Sequence, residues 1–325
     1  MGRRTGLRTT GGGAGLGVAI ASAAAFGTSG AFAGSLLEAG WTPAAAVTTR
    51  VVVAALVLTI PALRQLRRTP GITPGGLRNL GTYGVVAVAG AQLCYFNAIQ
   101  SLSVAVALLM EYSGVLLVVA WLWVRQGHRP RRLTVVGAVV AVAGLGLVLD
   151  LLGSTELDPV GILWGLGAAI GLATYFVLSA TTVDAPPPLV VAWGGLAVGG
   201  VTLLVAGAIG AVPVRAPLVD VELLGSQTSW VVPVLGLSIV AAAFAYVSGI
   251  AAARLLGATL ASFVGLTEVL FAVLFAWVLL GQVLTGGQLL GGILVLVGVA
   301  LVRIDDLTRP GEVVEVTQRR EPVAA

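Results

Sequence analysis

The stretch that decides the fold runs from Ala252 to Val302 and reads AARLLGATLASFVGLTEVLFAVLFAWVLLGQVLTGGQLLGGILVLVGVALV. It belongs to two long apolar runs, 256–280 and 286–303, which a short segment with Gly, Gln and Thr separates. Each run has about the 17–25 residues that a helix needs to cross a bilayer. Because the apolar residues are continuous rather than alternating, helices are predicted and a membrane barrel is not.

The rest of the chain has the same character. Of its 325 residues 58% are hydrophobic and 10% are charged, whereas soluble domains carry about 25% charged residues. Further apolar runs of spanning length lie at 14–37, 43–63, 79–99, 102–124, 132–151, 159–180, 187–210 and 230–252. The sequence therefore predicts an all-α integral membrane protein with ten transmembrane helices.

The basic residues, all of them Arg, predict how these helices are oriented. If the chain crosses ten times, nearly all Arg residues outside the runs fall on one side: Arg3, Arg4, Arg8, Arg64, Arg67, Arg68, Arg78, Arg125, Arg129, Arg131, Arg132, Arg254, Arg303, Arg309, Arg319 and Arg320. The other side is mostly acidic, with Arg215 as its one basic residue. Cytoplasmic loops are enriched in Arg, so both termini are predicted to lie in the cytoplasm and the protein in the cytoplasmic (inner) membrane.

The first run allows a second interpretation. Its apolar stretch follows three Arg residues and ends at Ala31-Phe32-Ala33, which is the layout of a cleaved secretory signal. The stretch is longer than the usual signal core of about 7–15 residues. Cleavage would also leave an odd number of spans, so a first membrane helix is the favoured interpretation.

The chain repeats itself at several points. The motif YFNAI at 95–99 resembles YVSGI at 246–250, near the ends of the third and eighth runs. Glu111 in the fourth run has a counterpart in Glu268 in the ninth. These matches predict that the second part of the chain is a copy of the first.

The boundaries of the two copies follow from the runs. Residues 14–151 and 159–303 form two halves of five helices, flanked by a leader (1–13) and a tail (304–325) that is expected to be disordered. An odd number of crossings inverts the second half relative to the first. Inverted repeats are typical of alternating-access transporters, whose site lies at the repeat interface near the midplane.

The same stretches resemble a known family. The segment from Ala252 and the sequence Trp41-Thr42-Pro43 followed by Arg50 are similar to the EamA family of the drug/metabolite transporter superfamily. The segment AVALLMEYSGVLLV from Ala105 resembles its threonine/homoserine exporter-like branch. The resemblance covers nearly the whole chain and implies two inverted EamA-type repeats in a secondary transporter that exports an amino acid or a related small metabolite.

Two positions depart from the family pattern. Val269 stands where the family has Pro after the acid of the ninth helix, and Gln282 stands where it has an acid after the helix. Because Pro kinks a membrane helix and Val does not, the ninth helix is expected to lack the kink. The fold implied by the resemblance is unaffected.

Three ionisable residues lie well inside predicted spans: Arg50, Glu111 and Glu268. Each costs about 2.5–3.5 kcal/mol near a helix centre, so such residues normally face the bundle interior or a wet cavity. Glu268 lies on a stripe of small residues at helical spacing, which predicts a cavity or a packed face. The other members of that stripe are Gly257, Ala258, Ala261, Gly265 and Ala272.

Each of these charges has two interpretations. Glu111 and Glu268 either exchange a proton during transport or bind a substrate amine, or they are satisfied hydrogen-bond partners between helices. Arg50 either pairs with a carboxylate or helix-end carbonyls and braces the bundle, or it holds a substrate carboxylate through both of its terminal nitrogens.

Uncharged side chains near the same depth are further candidates for the cavity lining: Gln92, Tyr95, Asn97, Tyr112, Ser113, Trp164, Thr174, Tyr175, Tyr246 and Ser248. For any one of them, hydrogen bonding between helices or anchoring at the membrane interface competes with substrate contact.

Other classes of function are disfavoured. No cluster of His and Cys could hold a metal, and a chain without Lys has no Walker-type phosphate loop. Neither a metal, a cofactor nor an enzymatic activity is predicted, and the Arg-rich loops favour anionic lipid over nucleic acid. The predicted partners are a small-molecule substrate, the bilayer and protons as a candidate coupling ion. The protein is expected to be a monomer or a homodimer. The alternatives to export are uptake, multidrug efflux, and a non-transporting membrane scaffold or sensor.

Overall fold

The computed structural model describes residues 9–69, 71–98, 100–102, 104–127, 130–149, 158–182, 186–280 and 285–308. Three predicted features lie outside these residues: Gln282, which differs from the family pattern, residues 1–8 of the leader, and residues 309–325 of the tail. The described chain is mostly helical, and helix extends beyond both predicted boundaries. It begins at Thr9, inside the predicted leader, and ends at Leu307, inside the predicted tail.

The first half contains α1 (Thr9–Gly27), α2 (Ser29–Glu38), α3 (Pro43–Leu66), α4 (Pro74–Thr82), a π-helical segment (Tyr83–Gly90), α5 (Ala91–Ala98), α6 (Val104–Tyr112), α7 (Gly114–Gln126) and α8 (Arg132–Val148). The second half contains α9 (Pro159–Ala180), α10 (Pro188–Ala208), β1 (Val221–Leu223), β2 (Ser226–Thr228), α11 (Val231–Leu235), a second π-helical segment (Gly236–Phe244), α12 (Ala245–Leu256), α13 (Ala258–Gly265), α14 (Thr267–Leu280) and α15 (Gly286–Leu307).

Within the described residues, eight helical stretches are long and apolar enough to cross a membrane. They coincide with eight of the runs predicted from the sequence. The two other runs are also helical. One is α8, which is 17 residues long, and the other is the continuous helix Pro74–Ala98, which carries the polar residues Tyr83, Gln92 and Asn97. The chain is thus a multi-pass membrane protein.

Small residues allow α8 and α15 to pack with their backbones in contact. A Cβ atom added at Gly144 would lie 2.7 Å from the carbonyl oxygen of Gly291, and one added at Gly137 would lie 2.8 Å from that of Gly298. Such close approach is how membrane helices associate, because no hydrophobic force drives them together in lipid. The same helix pair is joined by a hydrogen bond of 2.6 Å from the Thr134 hydroxyl to the buried carboxylate of Asp305.

Replacing Gly291 with Ala should therefore destabilise the protein. The new Cβ would lie 2.6 Å from both the carbonyl oxygen of Gly144 and the backbone nitrogen of Val148, so α8 and α15 must separate. Overpacking of this kind costs about 1–3 kcal/mol. Gly292→Ala is the matched control, because its Cβ would make an ordinary contact of 3.5 Å with Leu270. The thermal stability of the detergent-solubilised protein should fall for the first variant only; equal stabilities would contradict this packing.

The two halves share an unusual local feature. The helix that ends in the motif at 95–99 and the helix that contains the motif at 246–250 both change to π-helical geometry before the motif. π-Helical turns are rare and are often found at functional sites. Their presence at corresponding places agrees with the repetition read from the sequence.

Two short strands link α10 to α11 at one end of the bundle. β1 and β2 pair antiparallel through a turn with positive φ at Leu224 and Gly225. The segment before β1 is held to the α2–α3 connection, since the indole of Trp41 donates to the carbonyl of Pro217 at 2.8 Å. The backbone N–H of Arg215 also donates to the hydroxyl oxygen of Thr42 at 3.0 Å. This end of the bundle also contains the mouth of the cavity described next.

Candidate functional site

A cavity of about 530 Å³ lies between the two halves of the chain. Its lining comes from α1, α2, α3, the helix Pro74–Ala98 and α6 of the first half, and from α9, the helix Val231–Leu256, α13 and α14 of the second. Binding sites for small molecules usually have volumes of about 300–1,000 Å³. The cavity is therefore large enough for a metabolite and lies where both halves contribute.

The cavity opens toward one end of the bundle. Its lining extends along α2 to Leu37 and includes Pro43 at the start of α3. At the opposite end α1 is pressed against α12, because a Cβ atom at Gly15 would lie 2.9 Å from a methyl group of Leu256. The lining therefore reaches the end of the bundle where α2 meets α3, and because Leu37 there is 40% exposed we call this end the mouth.

Arg50 projects from α3 into this cavity and is only 9% exposed. One terminal nitrogen of its guanidinium donates to the hydroxyl of Ser29 at 3.5 Å, and the Tyr246 hydroxyl is within hydrogen-bonding reach. Its Nε atom is buried and has no hydrogen-bond partner. A guanidinium that retains an unused donor can bind a further acceptor, and a carboxylate matches its geometry best.

Both predicted acids line the same cavity. Glu111 is close enough to Glu268 and Arg50 to interact electrostatically with both, and the carboxylate of Glu268 is within reach of the Tyr112 hydroxyl. Within the described residues neither carboxylate forms an ion pair with Arg50. An ion pair between Arg50 and a carboxylate, one of the two ways in which Arg50 was predicted to brace the bundle, is therefore not formed here. Two acids and one base instead line the same cavity.

Aromatic rings form the floor of the cavity. The ring of Tyr246 lies 5.2 Å from Phe26 and 5.7 Å from Tyr175, both in edge-to-face geometry. Tyr175 packs in the same way against Phe176 at 4.8 Å. Gly249 makes room for the Tyr175 hydroxyl, since any side chain there would collide with it. These contacts fill the space around Tyr246, whose hydroxyl is within hydrogen-bonding reach of Arg50.

The structure brings together eight of the residues selected from the sequence as cavity lining: Arg50, Gln92, Tyr95, Glu111, Tyr112, Tyr175, Tyr246 and Glu268. Ala261, Gly265 and Ala272 of the small-residue stripe line the cavity as well. Gly257 and Ala258, at the far end of that stripe, do not.

Five selected residues do not reach the cavity: Asn97, Ser113, Trp164, Thr174 and Ser248. Four of them bond to their own helix. Asn97 donates to the carbonyl of Leu93 at 2.7 Å, and Thr174 to that of Ile170 at 2.8 Å. Ser113 and Ser248 donate to preceding carbonyls at 2.6 Å. Trp164 is 41% exposed on the outside of α9.

Several lining residues were not selected from the sequence. Ser22 and Ser29 lie on the α1 and α2 side, and Phe26, Phe96 and Phe176 supply apolar surface. Ser22 donates to the carbonyl of Ala245 at 2.8 Å and so joins the first half to the second. For Ser22, Phe26 and Ser29 a usable signal was the spacing of three and four residues, which places them on the face that contains Ala19, Ala23 and Ala33.

Both acids lie beside an interruption in their helix. Glu111 is two residues before Ser113, where α6 gives way to α7, and Glu268 is two residues after Leu266, where α13 gives way to α14. At Leu266 the chain keeps right-handed helical dihedral angles, so Ala258–Phe275 remains one spanning stretch with a tight turn before Glu268. At this turn the Thr267 hydroxyl donates to the carbonyl of Val264 at 2.6 Å. A short stretch of 3₁₀ geometry inside a helix often marks a functional hinge.

Comparison with known proteins shows which family the chain belongs to and which fold it shares. A crystal structure of another protein superimposes with a TM-score of 0.74 and 19% identity, covering 92% of this chain and 99% of that chain. No curated protein sequence matches the chain. The profile of the EamA-like transporter family matches residues 13–150 and 159–304. Because these two stretches make up most of the chain, the protein belongs to the EamA-like transporter family and is a membrane transporter of the drug/metabolite type.

Proposed function

We propose that this protein is a secondary transporter that exports an amino acid or a related small metabolite by alternating access. The observation that carries the proposal is the meeting of one guanidinium and two carboxyl groups in a single cavity between the halves. Arg50 and Glu111 come from the first half, and Glu268 comes from the second. A zwitterion would place its carboxylate at Arg50 and its ammonium group at the acids.

The arrangement favours transport over a scaffold or sensor. Burying three ionisable groups in a membrane is costly. A scaffold gains nothing from leaving these groups unpaired around open space, whereas a carrier needs groups that pair with its cargo. The ten crossings, the inverted second half and the cytoplasmic termini belong to the same proposal. They are supported by the distribution of Arg residues and by the π-helical segments at corresponding places in the two halves.

Proton coupling completes the proposal. Two acids opposite one base leave an excess negative charge that a proton can neutralise when the cavity is empty. A substrate ammonium group needs the ionised carboxylate and so competes with that proton for the same acid, and the proton leaves when the substrate binds. Entry of protons would thereby drive export of the substrate.

A metabolite screen of cells tests the function. Cells that lack and cells that overproduce the protein are compared at two external pH values, and intracellular and external metabolites are measured. We expect an amino acid or related metabolite to accumulate outside the overproducing cells, and more so at acidic external pH. Accumulation inside would instead establish uptake, and altered drug tolerance alone would establish multidrug efflux. No change in any metabolite or drug would favour the scaffold or sensor.

A further inference from the structure

We propose that Gly30 and Gly34 of α2 form the wall of a subsite for the substrate side chain, and that this subsite takes bulky apolar side chains. The inference rests on the proposed function, because it assumes an amino-acid-like substrate held at Arg50. It goes further by naming the class of side chain and the residues that select it.

The face of α2 that meets the cavity is made of small residues with free space in front of them. Gly30 and Gly34 are one helical turn apart, and both line the cavity. A Cβ atom added at either would meet no atom within 4 Å. Gly27 also lines the cavity but differs, because a Cβ atom there would lie 2.7 Å from Phe271. The glycines of α2 are therefore not needed for helix packing.

A buried guanidinium with one unused donor lies at the base of this face. Arg50 bonds to Ser29, the residue that precedes Gly30, and its buried Nε atom has no partner. A carboxylate bound there would be held next to the first turn of α2. The small-residue face then leads from this point toward the mouth.

Two parts of the surroundings of Arg50 are already occupied. The hydroxyl of Tyr246 is within hydrogen-bonding reach of Arg50, and the Tyr246 ring packs against Tyr175 and Phe26. Beside it stand the two acids, which suit an ammonium group and not an apolar one. We therefore place the side chain of the substrate along α2.

The surface that remains along α2 is apolar. Ala33 and Leu37 continue the face of Gly30 and Gly34, and Ala46, Val47 and Phe96 complete the lining near the mouth. None of these side chains can bond to a substrate hydroxyl or charge. A small polar side chain such as that of threonine would gain little here, whereas a branched or aromatic one would bury its surface.

Transport by purified protein in liposomes tests the proposal, with L-alanine, L-threonine, L-leucine and L-phenylalanine as the probes. Gly30→Leu and Gly34→Leu place a side chain in the proposed subsite. Gly17→Leu is the matched control, because Gly17 is exposed on α1, lies outside the cavity lining and also has no atom within 4 Å of an added Cβ. Leu has a higher helix propensity than Gly by up to about 1 kcal/mol, so none of the three variants should weaken its helix, and equal amounts of folded protein are compared.

We expect the wild-type protein to prefer phenylalanine and leucine over alanine and threonine. Either α2 variant should lower the ratio of phenylalanine to alanine transport by about tenfold or more, the usual effect of a steric change in an apolar pocket. The control should keep the wild-type ratio. Thermal stabilisation of the purified protein by phenylalanine should weaken in parallel and needs no transport.

Two kinds of result would overturn the proposal in different ways. If the wild-type protein transports these amino acids but prefers threonine, or if the α2 variants leave the ratio unchanged or reduce all probes equally, the subsite is wrong and the proposed function stands. If the wild-type protein neither transports nor is stabilised by any of the four amino acids, the proposal that this site binds amino acids is wrong. The proposed subsite is then wrong as well.

Discussion

Replacing Arg50 with Ala is expected to abolish transport at ordinary substrate concentrations. The guanidinium faces the cavity with an unused donor and is the lining's one basic residue among those the structure describes. A hydrogen bond to a charged group contributes about 1.5–3 kcal/mol, so the half-saturating concentration should rise by about 10- to 150-fold. Arg50→Lys keeps the charge but loses the fork of donors, and we expect it to recover only part of the loss.

A matched control separates this effect from general damage. Arg125→Lys changes an exposed guanidinium that lies 5.3 Å from the centre of the Trp121 ring, outside the cavity lining. Its transport should equal that of the wild-type protein. Both kinetic constants are measured in liposomes with equal amounts of folded protein. If Arg50→Lys transports like the wild type, Arg50 does not hold a substrate carboxylate through two bonds.

The spans could be predicted from the sequence, but the breaks within them could not. Continuous apolar runs fix where helices cross, whereas Thr28, Ser113 and Leu266 do not end a helix by intrinsic preference. Each break is stabilised instead by a hydroxyl that donates to the carbonyl three residues earlier, as Thr28 does to Ala25 at 2.7 Å. A hydroxyl residue close to Gly within an apolar run was the common sequence signal. Its meaning depends on the packing of neighbouring helices.

The charged residues of the site could be predicted, while its uncharged polar residues could be predicted only in part. Arg50, Glu111 and Glu268 meet in one cavity because no other place in a membrane protein tolerates them. Asn97 and Thr174 need no cavity, since each bonds to a carbonyl four residues earlier in its own helix. A polar side chain that satisfies itself locally has no preferred face, so its depth in the membrane says little about its role.

Glu111→Gln and Glu268→Gln are each expected to abolish proton-driven accumulation while leaving exchange of substrate across the membrane. Glutamine has the shape of the protonated acid but cannot release a proton. In either variant one acid remains opposite Arg50, so the empty cavity is neutral without a bound proton. Each unit of pH difference supplies about 1.4 kcal/mol per proton, or up to tenfold accumulation. Wild-type liposomes should approach that ratio, and both variants should stay near unity.

The double variant distinguishes proton carriage from simple loss of the site. With both acids replaced, Arg50 is left as an uncompensated cation and no carboxylate can receive an ammonium group, so exchange itself should fail. Glu38→Gln is the control, because Glu38 is exposed at the end of α2 and lies outside the cavity lining. Accumulation that still follows the pH gradient in both single variants would rule out the two acids as proton carriers. Their remaining role would then be to hold the substrate amine or to bond between helices.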